Sequence, residues 1–436
     1  MKQNKGEEIM LTWTFICLII MMLLGFPIYL SLIGASILYI TLNPDLSMML
    51  VIQKVITAPN SFPLLAIPFF ILAGQIMNTG GITKRIFNFA ECLVGHFRGG
   101  LAYVNILASM IFAGMSGSAI ADAGGLGLIE IKAMRDANYD DDLTIGITAA
   151  SSIIGPIIPP SVPFVIYGAL ANVSIGGLFV GGFIPGLLMG LLLSLKVFII
   201  SKKRNYPFSS DRASFKKVYN SFKGSCLAIF TPVIIIGGIW LGYFTPTEAA
   251  FIAILYALIV TTFIYKEFDI RKIPALLLET TKLVAPCIMI VGGAAIFAWI
   301  MGYERVSEVL INIILGFTSN KYIILFIINL ILLIVGMFVD VIAAIMILLP
   351  ILQPLATVIG IHPIHFGVIV VLNLMVGLLT PPVGDGLYIL SLVTKRPFEK
   401  IVGYTLPWIL PLFIVLLLIT YIPDLVLFLP KLMGFM

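Results

Sequence analysis

Gly114-Met115-Ser116-Gly117-Ser118 is a small, polar interruption in a chain that is apolar on either side of it. Gly336-Met337-Phe338-Val339-Asp340 begins 222 residues later. The same offset pairs Gly155 with Gly377, Pro159-Pro160 with Pro381-Pro382, and Pro185 with Pro407. Glycine and proline punctuate structure, and this many coincidences at one ungapped spacing mark the chain as two copies of one unit.

Composition says where that unit lives. Of 436 residues, 60% are hydrophobic and 11% charged, and the mean hydropathy is +1.12. A water-soluble domain carries about a quarter charged residues, so most of this surface meets lipid. Runs such as 13–24 and 322–335 are apolar but for one residue each, Thr14 and Asn329, and several approach the roughly 20 residues a spanning helix requires. The fold class is therefore an all-α polytopic membrane protein. The net charge of +5 is a bias that orients helices, not a nucleic-acid signature. Cys17, Cys92, Cys226 and Cys287 are scattered without a CxxC pair, which predicts packing residues rather than a metal or disulfide framework. No small-residue cleavage site follows 11–24, so a retained first span is expected. Walker, zincin and serine-histidine-aspartate patterns do not occur, which argues against an enzyme and against ATP-driven transport.

Positive charge in short loops marks the cytoplasmic side. The largest cluster is Lys202, Lys203, Arg204, Arg212, Lys216, Lys217 and Lys223, with Asp211 the one acid among them. Counting outward from that loop gives a map. Residues 1–61 are scaffold helices. Residues 62–200 form a first transport repeat, with an amphipathic cytoplasmic arm carrying Lys84, Arg85 and Arg98, a re-entrant hairpin at about 100–136, and a span broken at 155–160. Residues 201–225 are the basic cytoplasmic linker, and 226–283 are scaffold helices. Residues 284–436 form the second repeat, with a hairpin at about 321–358 and a span broken at 377–384. About ten spanning helices and two hairpins result. Five spans separate the hairpins, so they enter from opposite faces, the inverted-repeat signature of secondary transporters. Both termini fall on the periplasmic side.

Irregular backbone at membrane depth is tolerated only against protein, water or a ligand. At the first tip Ser116 and Ser118 add hydroxyls, and at 155–161 the prolines leave carbonyls without partners. Carbonyls at a helix C-terminus attract cations and N–H groups at an N-terminus attract anions. One tip and one break together make a cage for a small cation. The second copy repeats it with Gly336, Gly377 and Thr380. One turn before the breaks stand Ser151 and Ser152, with Asn373 at the repeat position of Ser151. Asp340, equivalent to Ser118, is a carboxylate at membrane depth, where such a group is usually functional; Asp385 follows the second break. Asp140, Asp141 and Asp142 read as a solvated helix start, Glu248 as a first-turn residue, and His362 and His365 as lacking a metal partner set. Almost no Lys or Arg falls at membrane depth to meet an anion.

Gly114 to Ala119, Pro159-Pro160-Ser161, Phe244-Thr245-Pro246-Thr247-Glu248-Ala249-Ala250 and Thr380-Pro381-Pro382, in this order, resemble the large membrane subunit of tripartite ATP-independent periplasmic (TRAP) transporters over nearly the whole chain. The resemblance implies an elevator-type ion transporter fold in the bacterial inner membrane. It implies about two sodium ions (Na+), a separate small four-helix membrane subunit, a periplasmic substrate-binding protein and an organic acid, sialic acid or a C4-dicarboxylate. Sodium ligands would be Gly114, Ser116, Ser152, Pro159 and Ser161 in one site and Gly336, Asn373, Gly377, Thr380 and the Val383 carbonyl in the other. Ser118, Ser151, Asp340 and Asp385 would meet substrate. The alternatives are a stand-alone sodium/carboxylate symporter, an anion channel, or an assembly scaffold.

Overall fold

The computed structural model describes residues 2–206, 208 and 213–436, with side chains from Ile9 onward; Asp211 and Arg212 of the basic linker lie outside the described residues. Among the described residues there is no strand. By length and composition seven helices could cross a bilayer: Phe62–Thr79, Ile175–Lys203, Phe215–Trp240, Pro246–Ile264, Ile270–Tyr303, Val341–Val358 and Phe398–Tyr421. Ile9–Leu23 and Ile28–Leu42 are shorter apolar segments. The chain is a multi-pass helical membrane protein.

The two interrupted spans are interrupted where the prolines fall. Asp141–Ser152 stops before Pro156 and the chain resumes helix at Val162–Ala171; Pro363–Gly377 stops before Pro381 and resumes at Asp385–Thr394. Proline cannot donate to the preceding turn, and each break contains a cis bond, Pro159-Pro160 and Pro381-Pro382. The hairpins also form. The first runs from Gly100–Ser116 back through 119–136, with a π-helical turn at Asp122–Leu126; the second joins Lys321–Gly336 to Val341–Val358. Val341–Val358, expected as a non-crossing arm, is long enough to cross by length alone. The amphipathic arms appear as Ile82–Val94 and Val306–Phe317. Two features depart from the sequence map. An extra helix, Met49–Thr57, lies in the first scaffold segment, and Ile273–Tyr303 is one continuous helix across the 283/284 boundary.

The packing carries the repeat symmetry. Val162–Ala171 of the first copy packs on Val341–Val358 of the second, and Asp385–Thr394 of the second packs on the 119–126 turns of the first. Likewise Asp141–Ser152 packs on Phe398–Tyr421, and its equivalent Pro363–Gly377 packs on Ile175–Lys203. Contacts that survive exchange of the two copies define a two-fold relation.

Its direction is fixed by charge. Arg204, just past the end of Ile175–Lys203, binds Asp140 (3.1 Å) and Asp142. Arg396, just before Phe398–Tyr421, binds Asp141. The three aspartates are consecutive, so the end of one helix and the start of its repeat equivalent share one place, and the two helices run in opposite directions. At the other end Gly176, near the start of the first, faces the ring of Phe435 near the chain's end. The repeats are inverted. The aspartates read from sequence as a solvated helix start thus tie three elements together, because Arg135 also donates to Asp141 at 2.8 Å.

Candidate functional site

A cavity of about 490 Å³ opens where the copies meet. The first tip lines it with Ser116, Gly117 and Ser118, the second with Asp340, Val341 and Ile342. Pro156 and Val162 come from the first break, Leu378 and Asp385 from the second. Helices Ala66–Thr79 and Ile273–Tyr303, themselves related by the repeat offset, close it from the side.

Each tip is bonded to the break of its own copy. The Val162 amide donates to the Gly117 carbonyl at 3.4 Å, and the Gly384 amide, 222 residues on, donates to the Met337 carbonyl at 3.1 Å. Glycine is required at these crossings by space. Gly117 has φ +58°, a region side chains disfavour, and a Cβ there would lie 2.5 Å from the Pro160 carbonyl oxygen. In the second copy a Cβ on Gly377 would lie 2.7 Å from the Gly336 carbonyl carbon.

Of the residues singled out from sequence, Ser116, Ser118, Asp340 and Asp385 line the cavity. Ser118 accepts from the Ala121 amide at 3.4 Å and Asp340 from the Ile342 amide at 3.0 Å, so both cap a helix that points its N-terminus at the cavity. Such ends carry free N–H groups and a positive partial charge, which suits an anion.

The other ten are not among the residues that line it. Gly336 and Gly377 form the backbone crossing just described. Gly114 packs on Pro232 of helix Phe215–Trp240, 2.8 Å from a Cβ placed there. Ser151, expected to meet substrate, instead donates to Asn105 at 2.7 Å and accepts from Ser109 at 3.2 Å. Ser152 donates to the Ala149 carbonyl at 2.9 Å. Ser161 donates to the Pro156 carbonyl at 2.5 Å and caps the Phe164 amide, and Pro159 is buried beside it. Thr380 donates to the Val376 carbonyl at 2.8 Å, and Val383 is half-buried in the bend after Pro382. Asn373 donates to Asn329 through its Nδ2 at 2.7 Å. The asparagine and serine pairs staple each hairpin to its broken helix.

Two of the expected sodium ligands keep an oxygen with nothing to bond. The Ser116 hydroxyl and the Asn373 Oδ1 are buried and have no hydrogen-bond partner. A buried orphan costs about 1–3 kcal/mol, and each of these two lies at or one turn before a helix C-terminus, Ser116 closing Gly100–Ser116 and Asn373 near the end of Pro363–Gly377. An oxygen-ligated cation fits that donor set.

Sequence reasoning missed part of the wall. Gln75 and Asn78 line the cavity, Gln75 accepting from Thr280 at 2.9 Å and Asn78 from Thr83 at 2.8 Å. Two amides one turn apart on a membrane helix were the available signal. Cys287, expected only to pack, also lines the cavity. Lys196 was overlooked inside a span. It donates to the Pro407 carbonyl, whose helical donor is missing because residue 411 is proline, and sits 4.6 Å over the Trp408 ring. It does not reach the cavity. Glu248 and Thr245 form the reciprocal cap expected of a first turn. His362 caps the Ile364 amide and His365 meets the Ile419 carbonyl at 2.7 Å.

Comparison with known proteins places the site in context. Residues 15–425 match the family described as tripartite ATP-independent periplasmic transporter, DctM component. The chain is 46% identical over 408 residues to the sialic acid TRAP transporter large permease protein SiaM of Vibrio cholerae, covering 94% of this chain and 95% of that one. It is 43% identical to the sialic acid TRAP transporter permease protein SiaT of Haemophilus influenzae, covering 95% of this chain and 67% of that one. The C4-dicarboxylate TRAP transporter large permease protein DctM of Pseudomonas aeruginosa is 37% identical over 92% of this chain and 94% of its own. Among solved structures the fold is shared with the YdaH transporter of Alcanivorax borkumensis at a TM-score of 0.61 and 13% identity, covering 85% and 86% of the two chains.

Proposed function

Since this chain belongs to the DctM component family of tripartite ATP-independent periplasmic transporters, as a large permease subunit, we propose that it imports an organic acid anion into the cell by sodium-coupled secondary transport. The substrate class is a sialic-acid-type sugar acid or a C4-dicarboxylate. A periplasmic binding protein delivers it, a small four-helix membrane subunit accompanies the permease in the inner membrane, and both termini lie on the periplasmic side. The two hairpins and broken helices move as one body against the remaining helices, in elevator fashion, carrying the cavity across.

One observation supports this above the others: two inverted tips share a cavity, and each copy holds a buried oxygen, Ser116 Oγ and Asn373 Oδ1, with no partner in the protein. Sodium at these oxygens, one at the first tip and one in the second broken helix, adds positive charge near the cavity, and the helix N-termini capped by Ser118 and Asp340 then accept a carboxylate. Each sodium entering down a potential of 100 mV contributes about 2.3 kcal/mol. Two of them carry a mono-anion inward with net positive charge.

The test is sodium dependence in proteoliposomes. Ser116→Ala deletes a hydroxyl that bonds to nothing else, so a merely structural serine leaves uptake unchanged. The sodium concentration for half-maximal uptake is expected to rise about tenfold, the ratio equal to about 1.4 kcal/mol, and Thr380→Val should shift it in the same direction. An unaltered sodium response in both variants removes the ion sites from these positions.

A further inference from the structure

Asp122 and Glu130 lie in the returning arm of the first hairpin, 1% and 0% exposed, and all four carboxylate oxygens lack a hydrogen-bond partner. Asp122 opens the π-helical turn Asp122–Leu126, and Glu130 follows in the first turn of the helix Gly127–Asp136 that continues it. An ionised carboxylate so buried loses its hydration with nothing to replace it, and a group in that position takes up a proton instead.

No basic side chain bonds to either carboxylate. The Ser109 hydroxyl stands beside Asp122. Thr148 packs on Gly127 at 2.9 Å from a Cβ placed there. Thr144, one turn along the same face toward Glu130, has a buried hydroxyl with no partner. Charged groups on the packed elements are engaged elsewhere or lie at their ends. On the same arm Arg135 gives its Nε to Asp141 and keeps a buried Nη2 that bonds neither acid, with Lys132 and Asp136 near the arm's end. On Ile82–Val94, Arg85 binds Glu267, with Lys84, Glu91 and Cys92 beside it in sequence. Gly100–Ser116 brings Tyr103, Asp141–Ser152 brings the arginine-bound Asp141 and Asp142, and Asp385–Thr394 brings Asp385 and Tyr388. Among the described residues no group of three or more metal-ligating acidic, histidine or cysteine side chains occurs.

The second hairpin shows that these acids are not needed to build the fold. At the repeat equivalents of Ser109, Asp122, Glu130, Thr144 and Thr148 it holds Ile331, Ala344, Leu352, Phe366 and Val370. The polar interior belongs to the first copy alone. It is separated from the cavity by Gly124 and Gly125, which line that cavity and carry no side chain.

We propose that Asp122 and Glu130 form a proton-binding site inside the first hairpin, where buried carboxyls hold protons that exchange with cavity water past Gly124 and Gly125. The site is distinct from the ion sites at the tips. Infrared spectroscopy of the permease reconstituted in lipid tests it without requiring transport. At pH 7 the wild type minus Asp122→Asn/Glu130→Gln difference is expected to contain a protonated-carboxyl C=O band that shifts in D2O, and the wild-type band should fade on alkaline titration. If the double variant does not fold, Glu130→Gln alone serves, and the wild-type titration stands by itself. Two carboxylate bands with no carboxyl band at pH 7 would overturn the proposal. So would a carboxyl band that vanishes on adding sodium at constant pH, which would make this a metal-cation site instead.

Discussion

Gly377→Val is expected to cripple uptake. A Cβ at this position lies 2.7 and 2.8 Å from the carbonyl carbon and Cα of Gly336. Both are backbone atoms, so no rotamer change relieves the clash, and valine adds two methyl groups to it. Overpacking of this kind costs about 1–3 kcal/mol. The strain falls on the crossing that positions the second tip, and relief requires separating Met337 from Gly384, whose hydrogen bond closes the same junction. Uptake in proteoliposomes should fall at least about tenfold, the equivalent of about 1.4 kcal/mol. Gly377→Ala should lie between that value and wild type. Gly403→Ala, where a Cβ meets nothing within 4 Å, is the control and should transport normally. Wild-type uptake by Gly377→Val would mean that tip and break do not touch during transport.

Asp141→Ala should produce the second large effect, on stability. Asp141 accepts from Arg135 Nε at 2.8 Å and Arg396 Nε at 2.7 Å, and its side chain is 15% exposed while the arginines are 34% and 46% exposed. Surface pairs contribute about 0–1 kcal/mol, and breaking a buried one costs 3–5 kcal/mol. This half-buried fork should fall between, about 2 kcal/mol, and the loss should appear as a fall of several degrees in the melting temperature. The pH dependence has a definite sign. Burial alone would raise the Asp141 carboxyl, but Arg135 and Arg396 outweigh it and hold it below the ordinary carboxylate range. A group held low stabilises the fold above its unfolded value, about 3.9, and loses that contribution as pH falls through the folded value. Wild type and Asp141→Ala should therefore differ by a constant interval at pH 6–8 and converge in acid. A constant gap down to the lowest pH at which the protein remains folded would assign the loss to packing.

The inverted repeat was legible because glycine and proline act through the backbone, and backbone geometry at a tip or break is dictated locally. The cis prolines fall 222 residues apart, as do Ser118 and Asp340, each of which caps the helix after its tip. What side chains reach across the fold was not legible. Ser151 and Asn373 match in the repeat, yet one bonds Asn105 and the other Asn329, positions that do not correspond. Gly114 reads as part of an ion cage from its neighbours in sequence, but its open side is filled by Pro232, more than a hundred residues away. Arg204 was read for loop charge, whereas it and Arg396 bind three aspartates that only tertiary packing brings within reach. Asp122 and Glu130 carried a usable signal, two carboxylates in a hairpin at membrane depth, which the nearer claim of the tip motif obscured.

An electron cryo-microscopy map of the permease in a lipid nanodisc, recorded in sodium and again in choline, addresses the whole arrangement. With both tips inside the hydrocarbon layer, two density peaks are expected in sodium, one at Ser116 Oγ and one at Asn373 Oδ1, and neither in choline. Either hairpin crossing the bilayer completely, or tips at mid-depth with the same empty density in both salts, would contradict an inverted pair of cation-binding tips.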